Sequence, residues 1–479
     1  MEPLEGLDAA FLALEAGATR LHIAAALVLD PPEGRRSLFS PSTRFAQIRR
    51  VIAERVHLAP PLRQRAVRVP LGLHHPVWVD DPEFDLDDHV LRASLPEPGD
   101  DGELARLVAE IVARPLDPDR PLWEMVVVEG LAGGRTAVVA KLHHAILDGV
   151  SGASLMAAFF DLGPRPRLVE PAPLWRPAPL PSQAQLLRHA VGSLGRQPKE
   201  MAETVQRTVN SALGVSSHNR RLAGDGLRPP PAPFSAPRTS INGTISSRRR
   251  YATASLDLGQ VKMVGRACGA TVNDVLLACV AGGLRRLLAA RGEEVGRPLV
   301  ALVPVSTRQV EERHNLGNRV SAMLVSLATT EDNPVRRLEK IVAASLVAKA
   351  QEQLAGGRLL AQLTQVTSPA VTSRAAKWTS GLRLFDRVPP VFNVVVSSMV
   401  GPDVTLFCAG SRVVRLHPVG PVVEGSGLNV TAMTYLNQLQ VGLLACRRLV
   451  PEVADLALSM EAALDELVGA TLGAQGATG

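Results

Sequence analysis

Aromatic residues make up only 3% of this 479-residue chain, which has two tyrosines and four tryptophans. Single-stranded nucleic acid is held by stacking its bases on aromatic side chains, so their scarcity sets nucleic acid aside as a partner. Cysteine is scarce too. Cys268, Cys279, Cys408 and Cys446 stand far apart and form no Cys-x-x-Cys pair, which argues against both a thiolate zinc site and a disulfide framework. No stretch approaches the roughly 18 uninterrupted apolar residues that span a bilayer. Even the run 391–400 is broken by Asn393, Ser397 and Ser398. The opening 17 residues lack the basic start and apolar stretch of a secretory signal and carry Glu2, Glu5, Asp8 and Glu15 instead. The expected compartment is therefore the cytoplasm, with no integral membrane segment.

What is present points to a folded protein of more than one domain. The chain is 46% hydrophobic, and its length exceeds what one core usually serves. The net charge of +6 suits general solvation, and it also suits anionic lipid surfaces or phosphate-bearing cofactors. Proline crowds the segment from Pro164 to Pro181, and Pro229-Pro230-Pro231 marks a second breaker-rich tract. Between them, residues 187–215 carry loosely helical apolar spacing. This divides the chain into an N-terminal domain over 1–182, a partly helical, proline-rich crossing linker over 183–244 and a C-terminal domain over 245–479.

Periodicity fills in the two halves. Residues 136–142 read as a buried β-strand, and Gly149 and Gly152 then precede the apolar Leu155, Met156, Phe159 and Phe160, giving strand, tight loop, helix. The clearest helix covers 271–290, where Thr271 and Asp274 have capping-box spacing. A second begins at Asn333-Pro334 and ends near Gly356-Gly357. Short β-rich runs at 299–303, 320–328, 391–396 and 439–444 read as central strands. The alternation predicts a layered α/β architecture.

The chemistry concentrates in His143-His144-Ala145-Ile146-Leu147-Asp148-Gly149, which sets an imidazole and a carboxylate four residues apart after the strand. An imidazole with a pKa near neutrality can take a proton from a hydroxyl that attacks a carbonyl, and His144 is the candidate base. Asp148 either orients the ring or turns away to fix the loop through a cation, with Arg308 as its plausible partner; the structural role is favoured. The bland alternative is a satisfied histidine pair, of which His74-His75 is an example in the same chain. A His-His-Asp metal site lacks further ligands at zinc spacing, so no metal is expected. On spacing alone, catalysis and the bland reading remain evenly matched.

The motif His143-His144-x-x-x-Asp148-Gly149 resembles the signature of the coenzyme A-dependent acyltransferase superfamily. Further blocks narrow the likeness: Leu7-Asp8-Ala9-Ala10-Phe11-Leu12, Pro118-Asp119-Arg120-Pro121-Leu122-Trp123-Glu124, Val272-Asn273-Asp274-Val275, Leu316-Gly317-Asn318 and Asn393-Val394-Val395-Val396-Ser397. Together they resemble the bacterial wax ester synthase/acyl-CoA:diacylglycerol acyltransferases, in order, from about residue 4 to about residue 452. The resemblance implies two related acyltransferase-like α/β domains meeting along a channel. It implies acyl-CoA as co-substrate with no permanently bound cofactor, and diacylglycerol or a long-chain alcohol as acceptor. Direct attack on the thioester is expected, with His144 as base and His143, Asp148 and Gly149 completing the motif.

Asn273, Arg308 and Ser397 are candidates for site support, and Pro121, Leu122 and Trp123 for the acyl pocket. Asn273, Ser397 and the Pro121-Leu122-Trp123 block also have plainer readings as helix start, turn and packing. Two segments depart from the family. Ser398-Met399-Val400-Gly401-Pro402 replaces the usual Asn-Val-Pro-Gly-Pro, and Cys446 stands where an acidic residue is common. Both bear on substrate preference and turnover more than on reaction class. A monomer or weak homodimer is expected, in peripheral contact with the inner membrane face or lipid inclusions through residues 187–215 and Arg248-Arg249-Arg250. The alternatives are a same-superfamily enzyme using another hydroxyl or a carrier-bound acyl group, and a non-catalytic lipid-inclusion protein.

Overall fold

The computed structural model describes residues 2–4, 6–31, 41–72, 74–148, 152–194, 217, 220, 222, 224, 229–294, 296–306, 320–355 and 384–476. The strands in chain order are β1 (Glu2–Pro3), β2 (His22–Leu29), β3 (Gln64–Val67), β4 (Val77–Asp80), β5 (Val90–Ser94), β6 (Trp123–Leu131), β7 (Arg135–His143), β8 (Arg249–Asp257), β9 (Val300–Ser306), β10 (Val320–Ser326), β11 (Val394–Met399), β12 (Phe407–Cys408), β13 (Ser411–Val419), β14 (Leu428–Tyr435) and β15 (Gln438–Cys446). The helices are α1 (Gly6–Leu14), α2 (Pro41–Arg55), α3 (Asp101–Ala113), α4 (Gly152–Phe159), α5 (Gln183–Leu194), α6 (Leu258–Ala267), α7 (Val272–Ala290), α8 (Pro334–Ala355) and α9 (Val453–Gly476).

Local sequence sets the boundaries of these elements. At the start of α7, Thr271 Oγ1 accepts the Asp274 N–H at 3.3 Å and Asp274 Oδ2 accepts the Thr271 N–H at 3.0 Å, the reciprocal cap expected from the spacing. Asn333 accepts the Arg336 N–H at 3.0 Å ahead of Pro334, whose missing N–H costs a first-turn position nothing. Strands also form at 300–306, 320–326, 394–399 and 438–446, where the β-rich runs predict them. No single described helix is long and apolar enough to cross a membrane. Helices α6 and α7 would pass together on length and composition, but they meet at 101° and the middle of α7 is buried.

Two six-stranded sheets form the body. The first has the order β12-β13-β2-β7-β6-β5 and the second β10-β9-β11-β14-β15-β8, with a small β1-β4-β3 sheet beside them. Side chains alternate across a strand, so β7 divides its apolar residues between two cores. Val138 and Leu142 pack with α2 and α4, whereas Ala137 and Val139 pack with α3 and with Tyr251, Leu444 and Cys446 of the second sheet. Helices α6 to α9 pack against the other face of the second sheet.

The division at 182 and 245 is too simple for this topology. Strand β13 belongs to the expected C-terminal domain, yet it pairs antiparallel with β2, Leu416 opposite Leu27, and β12 follows it into the first sheet. Alternating hydrophobicity marks a strand without naming its neighbour. The returning strand then presses on the second sheet. A Cβ on Gly442 would lie 1.8 Å from the Pro418 carbonyl oxygen, so this approach of β13 to β15 requires glycine. Across the same seam, the Tyr435 hydroxyl donates to the Val413 carbonyl at 2.8 Å and accepts the Leu406 N–H at 3.1 Å.

Gly442→Ala should therefore destabilise the chain by about 1–3 kcal/mol, the usual cost of overpacking. Gly469→Ala, at an exposed helical position with nothing within 4 Å, should be neutral or stabilising. Urea unfolding of both variants checks the contrast, and equal midpoints would remove the seam from the account.

Candidate active site

Strand β7 carries the motif to its place. Residues 139, 141 and 143 share one face of the strand, and His143 stands directly opposite His22 of β2. The chain then turns into a short 3₁₀ segment, His144–Asp148. His143 is almost fully buried and has partners on both nitrogens: Nδ1 accepts the Ala145 N–H at 3.1 Å, and Nε2 lies 3.1 Å from Glu15 Oε2. Accepting at Nδ1 requires a lone pair there, so the proton sits on Nε2 and points at the carboxylate.

Glu15 is the group that sequence reasoning missed, having counted it only among the acids opposing a secretory signal. Its other oxygen lies 3.2 Å from His22 Nε2 and 3.9 Å from Arg20 Nε. Burial works to raise the pKa of this carboxyl, but hydrogen bonds from His143 and His22 outweigh it and hold the group well below the usual carboxylate range. His22 is shifted down, chiefly by burial, against the pull of Glu15.

His144 follows the buried pair and is itself only partly exposed. Its backbone N–H donates to the Leu21 carbonyl at 2.9 Å, and its ring lies against Phe11 of α1 with centroids 4.2 Å apart at 38°. Loss of hydration, helped by neighbouring His143, lowers its pKa to about 4. The ring is thus neutral at physiological pH, the state in which an imidazole can accept a proton. Phe11 and Glu15 both come from the N-terminal segment, so one short stretch of chain touches both histidines.

Two residues before His143, the fully buried Lys141 extends its ammonium to Glu124 Oε1 at 2.8 Å and to the carbonyls of Ile111 at 2.9 Å and Arg114 at 3.1 Å. It satisfies the C-terminal end of α3 and anchors β7 to that helix. Burial lowers its pKa and Glu124, its cross-strand neighbour, opposes the shift.

The other expected site residues fall in several places. Asn273 is the second residue of α7 and half-buried, and Ser397 is half-buried on β11 opposite Thr431. Asn393, just before β11, is fully buried and structural: its side chain accepts the Val300 N–H at 2.8 Å and donates to the Pro237 carbonyl and Asn242 Oδ1, each at 2.7 Å. Pro121, Leu122 and Trp123 sit in the core of the first domain. The Trp123 indole donates to the Leu62 carbonyl at 2.7 Å and stacks on His89 at 4.6 Å, which is a packing arrangement. The Asp148 side chain, Gly149, Arg308 and Leu316-Gly317-Asn318 lie outside the described residues.

Replacing Glu15 by leucine leaves the Ala145 N–H to hold the His143 tautomer but removes the carboxylate partner, and should cost about 1.5–3 kcal/mol for the lost charge-assisted hydrogen bonds. Urea unfolding checks this: Glu15→Leu should unfold at a lower midpoint than the native chain. Equal midpoints would show that the Glu15 contacts add nothing to stability.

Comparison with known proteins places this arrangement. Residues 4–276 match the wax ester synthase/diacylglycerol acyltransferase catalytic domain, and residues 316–468 match the C-terminal domain of the same family. A Mycobacterium tuberculosis relative, provisionally named a diacylglycerol O-acyltransferase, is 37% identical over 98% of this chain and 98% of its own. A Mycobacterium bovis relative with a name of the same kind is 32% identical over 96% and 97%. Among solved structures, the wax ester synthase/diacylglycerol acyltransferase of Marinobacter aquaeolei is similar with a TM-score of 0.68, 26% identity and 98% of both chains covered. The starter condensation domain of rhizomide synthetase shares the fold at a TM-score of 0.51 and 16% identity, over 98% of this chain and 94% of that one. The chain thus belongs to the wax ester synthase/diacylglycerol acyltransferase family and is an acyltransferase of two-domain α/β fold.

Proposed function

We propose that this acyltransferase moves a long-chain fatty acyl group from acyl-CoA to the hydroxyl of diacylglycerol, of a long-chain alcohol, or of both. His144 is the general base. The observation that carries this reading is the neutral, partly enclosed His144 ring, held by Phe11 on one side and by the Glu15–His143–Ala145 chain of hydrogen bonds behind it.

The acceptor oxygen gives its proton to His144 as it bonds to the thioester carbon. The tetrahedral intermediate then expels the coenzyme A thiolate, which takes the proton back from the imidazolium and leaves as the free thiol. No acyl-enzyme forms. Positioned proton transfer of this kind contributes about 10²–10⁴ in rate. His143 serves as support, because its Nδ1 and Nε2 are both engaged in the fold.

Both lipid substrates reside in a membrane or inclusion, and the chain works peripherally at such a surface on the cytoplasmic side. The stretch first considered for that contact, 187–215, is described only as far as Leu194. In the basic triplet, Arg249 is buried and donates to the Ala18 and Ser246 carbonyls, which leaves it little part in a lipid contact.

Purified protein given labelled palmitoyl-CoA with either hexadecanol or dioleoylglycerol should release free thiol and form neutral lipid in equal amounts. His144→Ala should lower that rate at least a hundredfold, in line with the loss of a general base. Equal product from both proteins would clear His144 of the role, and thiol release without lipid product would make the protein a thioesterase.

A further inference from the structure

A cleft of about 700 Å³ lies between the end of the motif helix α4 with the chain just after it and the segment 400–406 that returns the chain from the second sheet to the first. Its inner wall is apolar: Leu406 is buried, and Met156 and Phe160 are half-buried. Its outer lip is also apolar but lies open, with Val400 92%, Leu162 77% and Val404 47% exposed. The neighbouring Met399 and Leu168 are exposed as well. Single exposed apolar residues are ordinary on any surface, whereas several around one cleft mark a contact face.

The lip is held in place. A Cβ on Gly401 would lie 2.2 Å from the Thr434 carbonyl oxygen, the Gly401 N–H donates to Thr434 Oγ1 at 3.0 Å, and the Leu436 N–H donates to the Pro402 carbonyl at 3.3 Å. This close seat on β14 keeps Val400 turned outward.

The cleft and its lip carry both signs of charge, with positive in excess. Asp161 lines it but is neutralised by Arg55, whose guanidinium reaches both carboxylate oxygens at 2.9 and 3.0 Å. Arg165 is exposed, and Arg167 donates to the Ala157 and Ala158 carbonyls at 2.6 and 2.7 Å while its Nε stands 3.9 Å from Asp161, so Arg55 and Arg167 share one carboxylate. An apolar lip where Arg55, Arg165 and Arg167 outnumber Asp161 and the exposed Asp403 complements an anionic lipid surface.

We propose that this lip is where the enzyme docks on an anionic lipid surface, and that the cleft receives an alkyl chain of the lipid acceptor from that surface. The second clause rests on the function proposed above, and the docking does not. The cleft lies at the end of the helix that follows His144 in the chain, so a lipid drawn in here enters beside the motif's own helix.

Flotation of the full chain with phosphatidylcholine vesicles, with and without phosphatidylglycerol, tests the docking. The native protein should float with the anionic vesicles. Val400→Asp combined with Leu162→Asp should lower the bound fraction tenfold or more. Arg165→Glu should lower it about fivefold on anionic vesicles only, as expected for a lost basic contact at a charged surface. The double variant should also lower the ratio of the rate on vesicle-borne diacylglycerol to the rate on dissolved octanol at least tenfold. No flotation of the native chain, or undiminished flotation of the double variant, overturns the proposal. So does a native dimer that the double variant dissociates, since a second copy would then cover the lip. If the native chain acylates neither acceptor, the function proposed above fails while flotation still decides the docking.

Discussion

The return of residues 407–419 into the first sheet is the constraint on which the rest of the molecule depends. Strand β13 pairs with β2 on one side and presses against Gly442 of β15, locking the two sheets together over a core they share. Strand β2 in turn flanks β7, and their last pair is His22 opposite His143. The strand that closes the two halves together is thus one neighbour away from the strand that ends at the motif.

That arrangement explains why so many charged groups are buried near one strand end. Lys141, His143, His22 and Glu15 would each be costly to desolvate alone. Lys141 meets Glu124 and two helix-end carbonyls, and Glu15 lies between the two imidazoles. Lys141 and His143 thus have polar partners, and the residue next in line, His144, is left neutral by burial rather than charged by a carboxylate. The same logic recurs at the far end of α4, where Arg55 neutralises Asp161 and leaves the neighbouring cleft net basic.

Much of this was legible in the residues. Thr271 with Asp274 and Asn333 with Pro334 fix helix starts through hydrogen bonds made within four residues, and β7 announced itself by its β-branched run. The motif and the blocks around it carried the family. What was not legible depends on contacts between distant parts of the chain. Nothing in Ser411–Val419 says that it pairs with β2 rather than with β14, since alternation is the same for either neighbour. Glu15 gives no local sign that it will meet His143, 128 residues away. Trp123 is a milder case: beside a proline in an apolar neighbourhood it reads more readily as packing than as a pocket wall, and its indole N–H donates to the Leu62 carbonyl inside the core.

The central claim is that His144 works as a neutral base whose proton affinity is lowered by burial. The acid limb of kcat/KM reports the ionisation of the essential base in the free enzyme. With palmitoyl-CoA varied at saturating acceptor, the account predicts a rate that falls only as pH drops through about 4, where His144 takes up its proton. A limb near 6.5, the value of an unperturbed histidine, would contradict it.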